Sequence, residues 1–191
     1  MQIALIRHFA TKGNLEKRYI GRSDEEILPV KETGDYPEAE LVFASPLKRC
    51  RETAEMLYPK TRQIIVEDFR ECDFGRFEGK NYKELSEDPE YQRWIDSGGK
   101  LPFPEGESME RFIERSISAF EKVVEMLQEK KAKKAAMVVH GGTIMAVLST
   151  YGIPKKGYFD RQCKNGCGYL ITISEEEWKK GKKECKVEKE I

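Results

Sequence analysis

Residues 2–14 read QIALIRHFATKGN. Ile3, Ala4, Leu5 and Ile6 form an apolar run without polar alternation, the pattern of a strand covered on both faces. Gln2 to Arg7 is therefore predicted to be a strand inside a largely parallel sheet. It ends at Arg7-His8 and gives way to a polar loop containing Gly13, Gly21 and Pro29. A second stretch has the same form: AAMVVHGGTI, residues 135–144. Ala135 to Val139 is a buried strand ending at His140, and Gly141-Gly142 leads into a helix over Thr143 to Tyr151. The chain has two histidines in all, and both stand just past a buried strand. In open α/β sheets, ligands bind beyond the carboxyl ends of strands, so two such strands side by side bring both imidazoles to one cleft.

The rest of the chain fits the same sheet. Leu41 to Ala44 is a short strand stopped by Ser45-Pro46, followed by a helix over Leu47 to Leu57 and a third strand over Gln63 to Val66. Met109, Phe112, Ile113, Ser116, Phe120, Val123, Val124 and Leu127 recur at helical spacing, so a long helix runs between Ser108, its N-cap, and Lys131. Cys167 to Ile173 is a further strand, and Lys186 to Ile191 is expected to pair at an edge. Lys130 to Lys134 is read as a solvated helix end. Strands alternating with helices predict a three-layer α/β/α sandwich with a mostly parallel central sheet.

Composition narrows the function. The 191 residues fit a single domain, and 34 basic residues balance 34 acidic ones. A nucleic-acid binder would carry a basic excess. No apolar run reaches the roughly 18 residues a membrane span needs. The start runs straight into a strand with no basic leader, so a cytoplasmic protein is expected. Its five dispersed cysteines are expected to be reduced thiols, and Cys163 and Cys167 lack the second ligand pair of a zinc site. No cofactor or metal is expected.

The flanks of the two histidines supply phosphate-binding groups. Arg7 precedes His8, Arg49 lies at the start of the helix after Ser45-Pro46, and arginine offers a planar fork of donors to phosphate oxygens. Gly141-Gly142 opens a helix whose free N–H groups can face an anion. Two arginines, two histidines and a helix terminus describe a pocket for a dianion.

In this frame, LIRHFATKGN resembles the signature L-x-R-H-G-x-T-x-x-N of the histidine phosphatase (phosphoglycerate mutase-like) superfamily. SPLKRCRETA, ECDFGRFEG and VVHGGTI resemble its second, third and fourth blocks, in family order. The resemblance implies a phosphoglycerate mutase-like fold and a metal-independent phosphomonoesterase. His8 is then the nucleophile, and Arg7, Arg49 and His140 hold the phosphoryl oxygens. Asn14 and the backbone at Gly141 add hydrogen bonds, and Glu71 is the proton donor, with Glu78 and Glu107 as alternatives. A cap-like insertion at about 79–107 sets specificity.

Two departures from the pattern carry expectations. Phe9 replaces the usual glycine and is expected to narrow the pocket mouth or alter the backbone beside His8. Only DYPEAELVFA separates Gly34 from Ser45, so a helix usual at that place is expected to be missing or cut to one turn. One sheet face would then be less covered, leaving room for a second copy in a homodimer. The cap sequence and NGCGYLITI resemble α-ribazole phosphatases, which makes α-ribazole 5′-phosphate the expected substrate. Tyr82, Trp94 and Phe103 are candidates to stack on its ring, or else pack the cap core. The rival functions are phosphoglycerate mutase and a non-catalytic phosphate-binding module.

Overall fold

The computed structural model describes residues 1–191. Seven strands form one sheet in the order β3-β2-β4-β1-β6-β7-β5. Their ranges are β1 Gln2–Arg7, β2 Leu41–Ala44, β3 Gln63–Ile65, β4 Lys134–Val139, β5 Gly152–Ile153, β6 Gly168–Thr172 and β7 Cys185–Glu190. β1 pairs parallel with β4, β4 with β2 and β2 with β3; β6 alone runs antiparallel to both its neighbours. The C-terminal strand differs from expectation: β7 is bonded on both sides, to β6 and β5, and β5 takes the edge.

Side chains alternate across a strand, so the apolar runs must feed two cores. Ile3, Leu5, Phe43, Met137 and Val139 face α4 (Met109–Glu129), α5 (Gly141–Tyr151) and Trp178 of α6 (Glu175–Lys179). Ala4, Ile6, Val42, Ala44, Ala136 and Val138 face Cys50 and Ala54 of α2 (Lys48–Leu57) and Tyr58. Met137 lies 1% exposed in the larger core. Met137→Ala is expected to lower stability by about 2–5 kcal/mol, read as an earlier denaturant midpoint with an unchanged slope.

No helix lies between Gly34 and β2, as the short span predicts. The expected bare face does not follow. Three alanines on that side let α2 approach closely, Tyr36 and Ala39 pack over the remainder, and the six strand residues are at most 1% exposed. That face of the central strands is covered from within the chain. Lys133 and Lys134 also differ from the expected helix end: Lys133 leads into β4 and Lys134 opens it, and they pair with Glu175 and Glu38 respectively. No helix is long and apolar enough to cross a membrane.

Three short helices escaped the sequence reading, each with a cap of its own. Thr11 and Asn14 bracket α1 (Lys12–Leu15) as a reciprocal capping box: Thr11 Oγ1 accepts from Asn14 N, and Asn14 Oδ1 accepts from Thr11 N. Asp88 caps α3 (Pro89–Asp96) with proline in its first turn, and Ser174 caps α6 ahead of three glutamates.

Candidate active site

The carboxyl ends of β2, β4 and β1 lie side by side, and each releases a polar residue at the same level. His8 N donates to Val139 O at 3.0 Å, and Ser45 N donates to Val138 O at 3.1 Å. His8 and His140 meet edge to face with ring centroids 5.2 Å apart. Arg49 joins them from the first turn of α2, 1% exposed.

His8 is prepared as a base by its own backbone. A carbonyl can only accept, so the 2.7 Å contact between His8 Nδ1 and Phe9 O puts the proton on Nδ1 and leaves Nε2 with a free lone pair. Burial, followed by the Arg49 guanidinium, depresses the His8 pKa to about 3. His140 is likewise pushed well below the ordinary range, first by burial and then by Arg49. Its Nε2 lies 2.8 Å from Ser45 Oγ. The site thus holds two neutral imidazoles between two guanidinium cations.

Those cations are held by carbonyls and have donors to spare. Arg49 donates to Ser23 O at 2.7 Å, to Gly21 O at 2.9 Å and to Ile20 O at 3.3 Å. Arg7 donates one bond, to Cys163 O at 2.7 Å, and its buried Nε has no partner. A buried donor without an acceptor is costly, and an anion in the cleft supplies the acceptor. The free N–H groups at the start of α5 open beside Arg7, whose Nε passes 3.4 Å from where a Gly141 side chain would begin.

Glu71 lies on the wall of a cavity of about 390 Å³ that also takes in Arg7, Gly141 and Gly142. Burial raises its pKa, against the opposing pull of the Cys72 N–H bonded to Oε1 and of Arg49. Neither alternative carboxylate reaches this cavity. Glu78 accepts from Gly21 N, Ser23 N and Ser23 Oγ and so braces the loop that holds Arg49. Glu107 is paired with Arg115 at 2.7 and 2.8 Å. No group of three His, Cys, Asp or Glu side chains is placed to hold a metal ion.

A profile of the histidine phosphatase superfamily (branch 1) matches residues 3–184. The chain belongs to that superfamily. An uncharacterized phosphatase of Bacillus subtilis is 29% identical over 93% of this chain and 91% of its own. Among solved structures, the α-ribazole phosphatase of Shigella flexneri superposes with a TM-score of 0.79 at 19% identity, covering 98% of this chain and 95% of that one. A phosphoglycerate mutase of Thermus thermophilus gives 0.70 at 25% identity, covering 100% and 98%. The family and these relatives make the chain a phosphatase-type enzyme with a phosphoglycerate mutase-like fold.

For this histidine phosphatase, Phe9 differs from expectation. Its ring does not line the cleft. It turns toward Tyr36, 6.5 Å between centroids, and lies against Gly166, where an added Cβ would come 2.9 Å from the ring. Gly166 also has φ +76°, so only glycine meets both demands without strain. Backbone atoms of Phe9 do the work beside His8, with its carbonyl on His8 Nδ1 and its N–H on Thr53 Oγ1. Tyr82 is half exposed and outside the cleft, whereas Trp94 and Phe103 both pack in the insertion's aromatic core and line a neighbouring chamber.

The sequence reading missed four residues that shape the phosphatase site. Arg115 donates to the carbonyls of Asp68, Arg70 and Glu71, clamping the segment that carries Glu71. Thr53 ties Phe9 N to Arg49 O. Tyr158 donates to Gly142 O across the cleft, at 3.3 Å. Asn165, present in the quoted NGCG but given no role, donates to His8 O and to Asn14 Oδ1, each at 3.1 Å. Both bonds to Asn14 fall on its oxygen, which leaves its NH₂ group free for a ligand. Asn165→Ala is expected to raise the inhibition constant of inorganic phosphate about tenfold, the loss of roughly one hydrogen bond.

Gly142 permits the approach of Glu71. A Cβ there would lie 2.8 Å from Glu71 Oε1 and 2.8 Å from the Phe112 ring. Gly142→Ala is expected to push the carboxyl aside and cut kcat by about ten- to a hundredfold, while crowding of the buried Phe112 ring lowers the melting temperature by a few degrees. Steady-state turnover and a thermal melt on the same preparation check both halves.

Proposed function

We propose that the chain hydrolyses phosphomonoesters through a phosphohistidine at His8, without a metal. The observation that carries this is a neutral imidazole, its Nε2 lone pair left free by the Nδ1–H bond to Phe9 O, beside the guanidinium groups of Arg49 and Arg7. Nε2 attacks phosphorus, and the bond to the ester oxygen breaks. The ring becomes a cationic phosphoimidazole whose Nδ1–H stays bonded to Phe9 O, where the developing charge is stabilised. Arg7, Arg49, His140, Asn14 and the N–H groups at Gly141 bind the equatorial oxygens. Glu71, whose pKa burial raises, gives its proton to the departing alkoxide. A water then attacks the phosphoenzyme, returns a proton to Glu71 and releases phosphate from Nε2.

The 79–107 insertion acts as a cap on this site, and α-ribazole 5′-phosphate is the substrate we favour. The resemblance of the cap and of NGCGYLITI supports it, as does the fold shared with the Shigella enzyme. Five unpaired thiols and a formal charge of zero support a cytoplasmic enzyme of small molecules. The test is phosphate release in EDTA from α-ribazole 5′-phosphate, phosphoglycerates, sugar phosphates and p-nitrophenyl phosphate. Chelator-resistant release with a large preference for the riboside is the expected result. Release that EDTA abolishes contradicts the metal-free reading, and indifference to the riboside contradicts the substrate.

A further inference from the structure

A second cavity, about 790 Å³, adjoins the phosphate cleft. Tyr19, Phe74, Met109, Tyr158 and Phe159 line both spaces, so a molecule held by Arg7 at one end can reach into the other along a shared wall. The chamber's far wall is Trp94 stacked on Phe103, centroids 4.9 Å apart, with Ile95 and Ile113 beside them. This wall is fixed in place: Tyr91 stacks on Trp94 behind it, and Phe77 and Tyr19 brace the same rings. Phe159 stands 64% exposed where the two spaces meet, packed edge-on against Tyr158. The only cation on the chamber lining is Lys100, and it shares the lining with Glu110 and Glu114.

Resting on the hydrolase reading, we infer that this chamber takes an apolar leaving-group end. The substrates are amphiphilic phosphomonoesters whose far end is a flat ring or hydrocarbon, and esters ending in a carboxylate are disfavoured. Cavities of a few hundred Å³ lined by aromatic groups bury most of such a ligand. A carboxylate would instead leave water for a space where two acidic side chains oppose the single lysine. The inference separates this enzyme from hydrolases or mutases of short phosphorylated acids, and it admits a ring-bearing riboside.

The experiment is kcat/KM across ethyl, butyl, hexyl and octyl phosphate, with phenyl and 1-naphthyl phosphate and 3-phosphoglycerate alongside. The chamber predicts a rise of about fourfold per added methylene until the space is filled. It also predicts naphthyl above phenyl, and 3-phosphoglycerate below butyl phosphate. Ile95→Glu, at a position 46% exposed and so tolerant of charge, should flatten the alkyl series. An active enzyme with equal kcat/KM for ethyl and octyl phosphate, or one that prefers 3-phosphoglycerate, overturns the inference and leaves the hydrolase reading intact. A folded protein that hydrolyses none of these esters overturns the hydrolase reading itself.

Discussion

His8→Ala should abolish turnover of every ester, by on the order of 10⁴-fold or more, while the protein still folds and still binds phosphate. The size follows from what the substitution removes. His8 presents an unengaged Nε2, its Nδ1–H being bonded to Phe9 O, whereas His140 Nε2 is engaged with Ser45 Oγ. No neighbour can take over the covalent step. Binding should survive because the cations are fixed independently: Arg7 by Cys163 O, and Arg49 by the 20–23 loop braced by Glu78. Isothermal titration with inorganic phosphate, set beside initial rates, separates the two. Residual turnover above a few per cent in H8A would place the nucleophile elsewhere.

Glu71→Gln should lower kcat by about 10²- to 10⁴-fold, the usual worth of a positioned general acid, and should also change the shape of the pH profile. The sign follows from the two shifts. His8, depressed to about 3, is neutral and nucleophilic at any pH above that value. Glu71, raised by burial, keeps its proton above the ordinary carboxylate range and loses it as pH climbs further. The working form, neutral His8 with protonated Glu71, therefore occupies a window on the acidic side. kcat should fall as pH rises through the Glu71 value and hold steady well into acid. In E71Q the side chain cannot ionise, so the falling limb should vanish. The second ionisation of the ester, near pH 6, is common to both proteins and cancels in the comparison. A limb that persists unchanged in E71Q assigns it to another group.

How much of this was legible in the sequence depends on the range of the interaction. The two strands ending in histidine were readable because uninterrupted apolar runs require burial on both faces, and parallel pairing of β1 with β4 then sets His8 beside His140. Arg49 was readable as a cation near the start of a helix. That its guanidinium is clamped by carbonyls of residues 20–23, with Glu78 behind them, was not, because those contacts join three segments distant in sequence. Glu71 came only through the resemblance; what distinguishes it from Glu78 and Glu107 is which cavity each carboxyl enters, a tertiary fact.

The misreadings have equally specific causes. Phe9 looked like an obstruction because sequence alone does not say which way a side chain leaves the strand end; Gly166 and Tyr36, far along the chain, make room for it on the other side. The sheet face beneath the missing helix was expected to be bare. Its alanines are plain in the sequence, and their small size is what lets α2 and Tyr36 close over it. Asp88-Pro89 and Ser174 were ordinary helix starts that short lengths concealed. Tyr158 opens a four-residue 3-10 helix and Asn165 sits in a turn, both too short for a periodicity to be read, and only their hydrogen bonds reveal them.

The central claim is a phosphoryl group carried on His8 Nε2, and trapping that intermediate tests it most directly. The wild-type enzyme is mixed with an aryl phosphate, quenched in alkali within milliseconds, digested, and its peptides mapped by mass. Phosphohistidine survives alkali and is lost in acid. The account predicts one phosphoryl group per chain on the peptide containing His8, absent after an acid quench and absent in H8A. An acid-stable label, a label on any other residue, or full turnover with no trapped phosphoenzyme in burst-phase samples would contradict it.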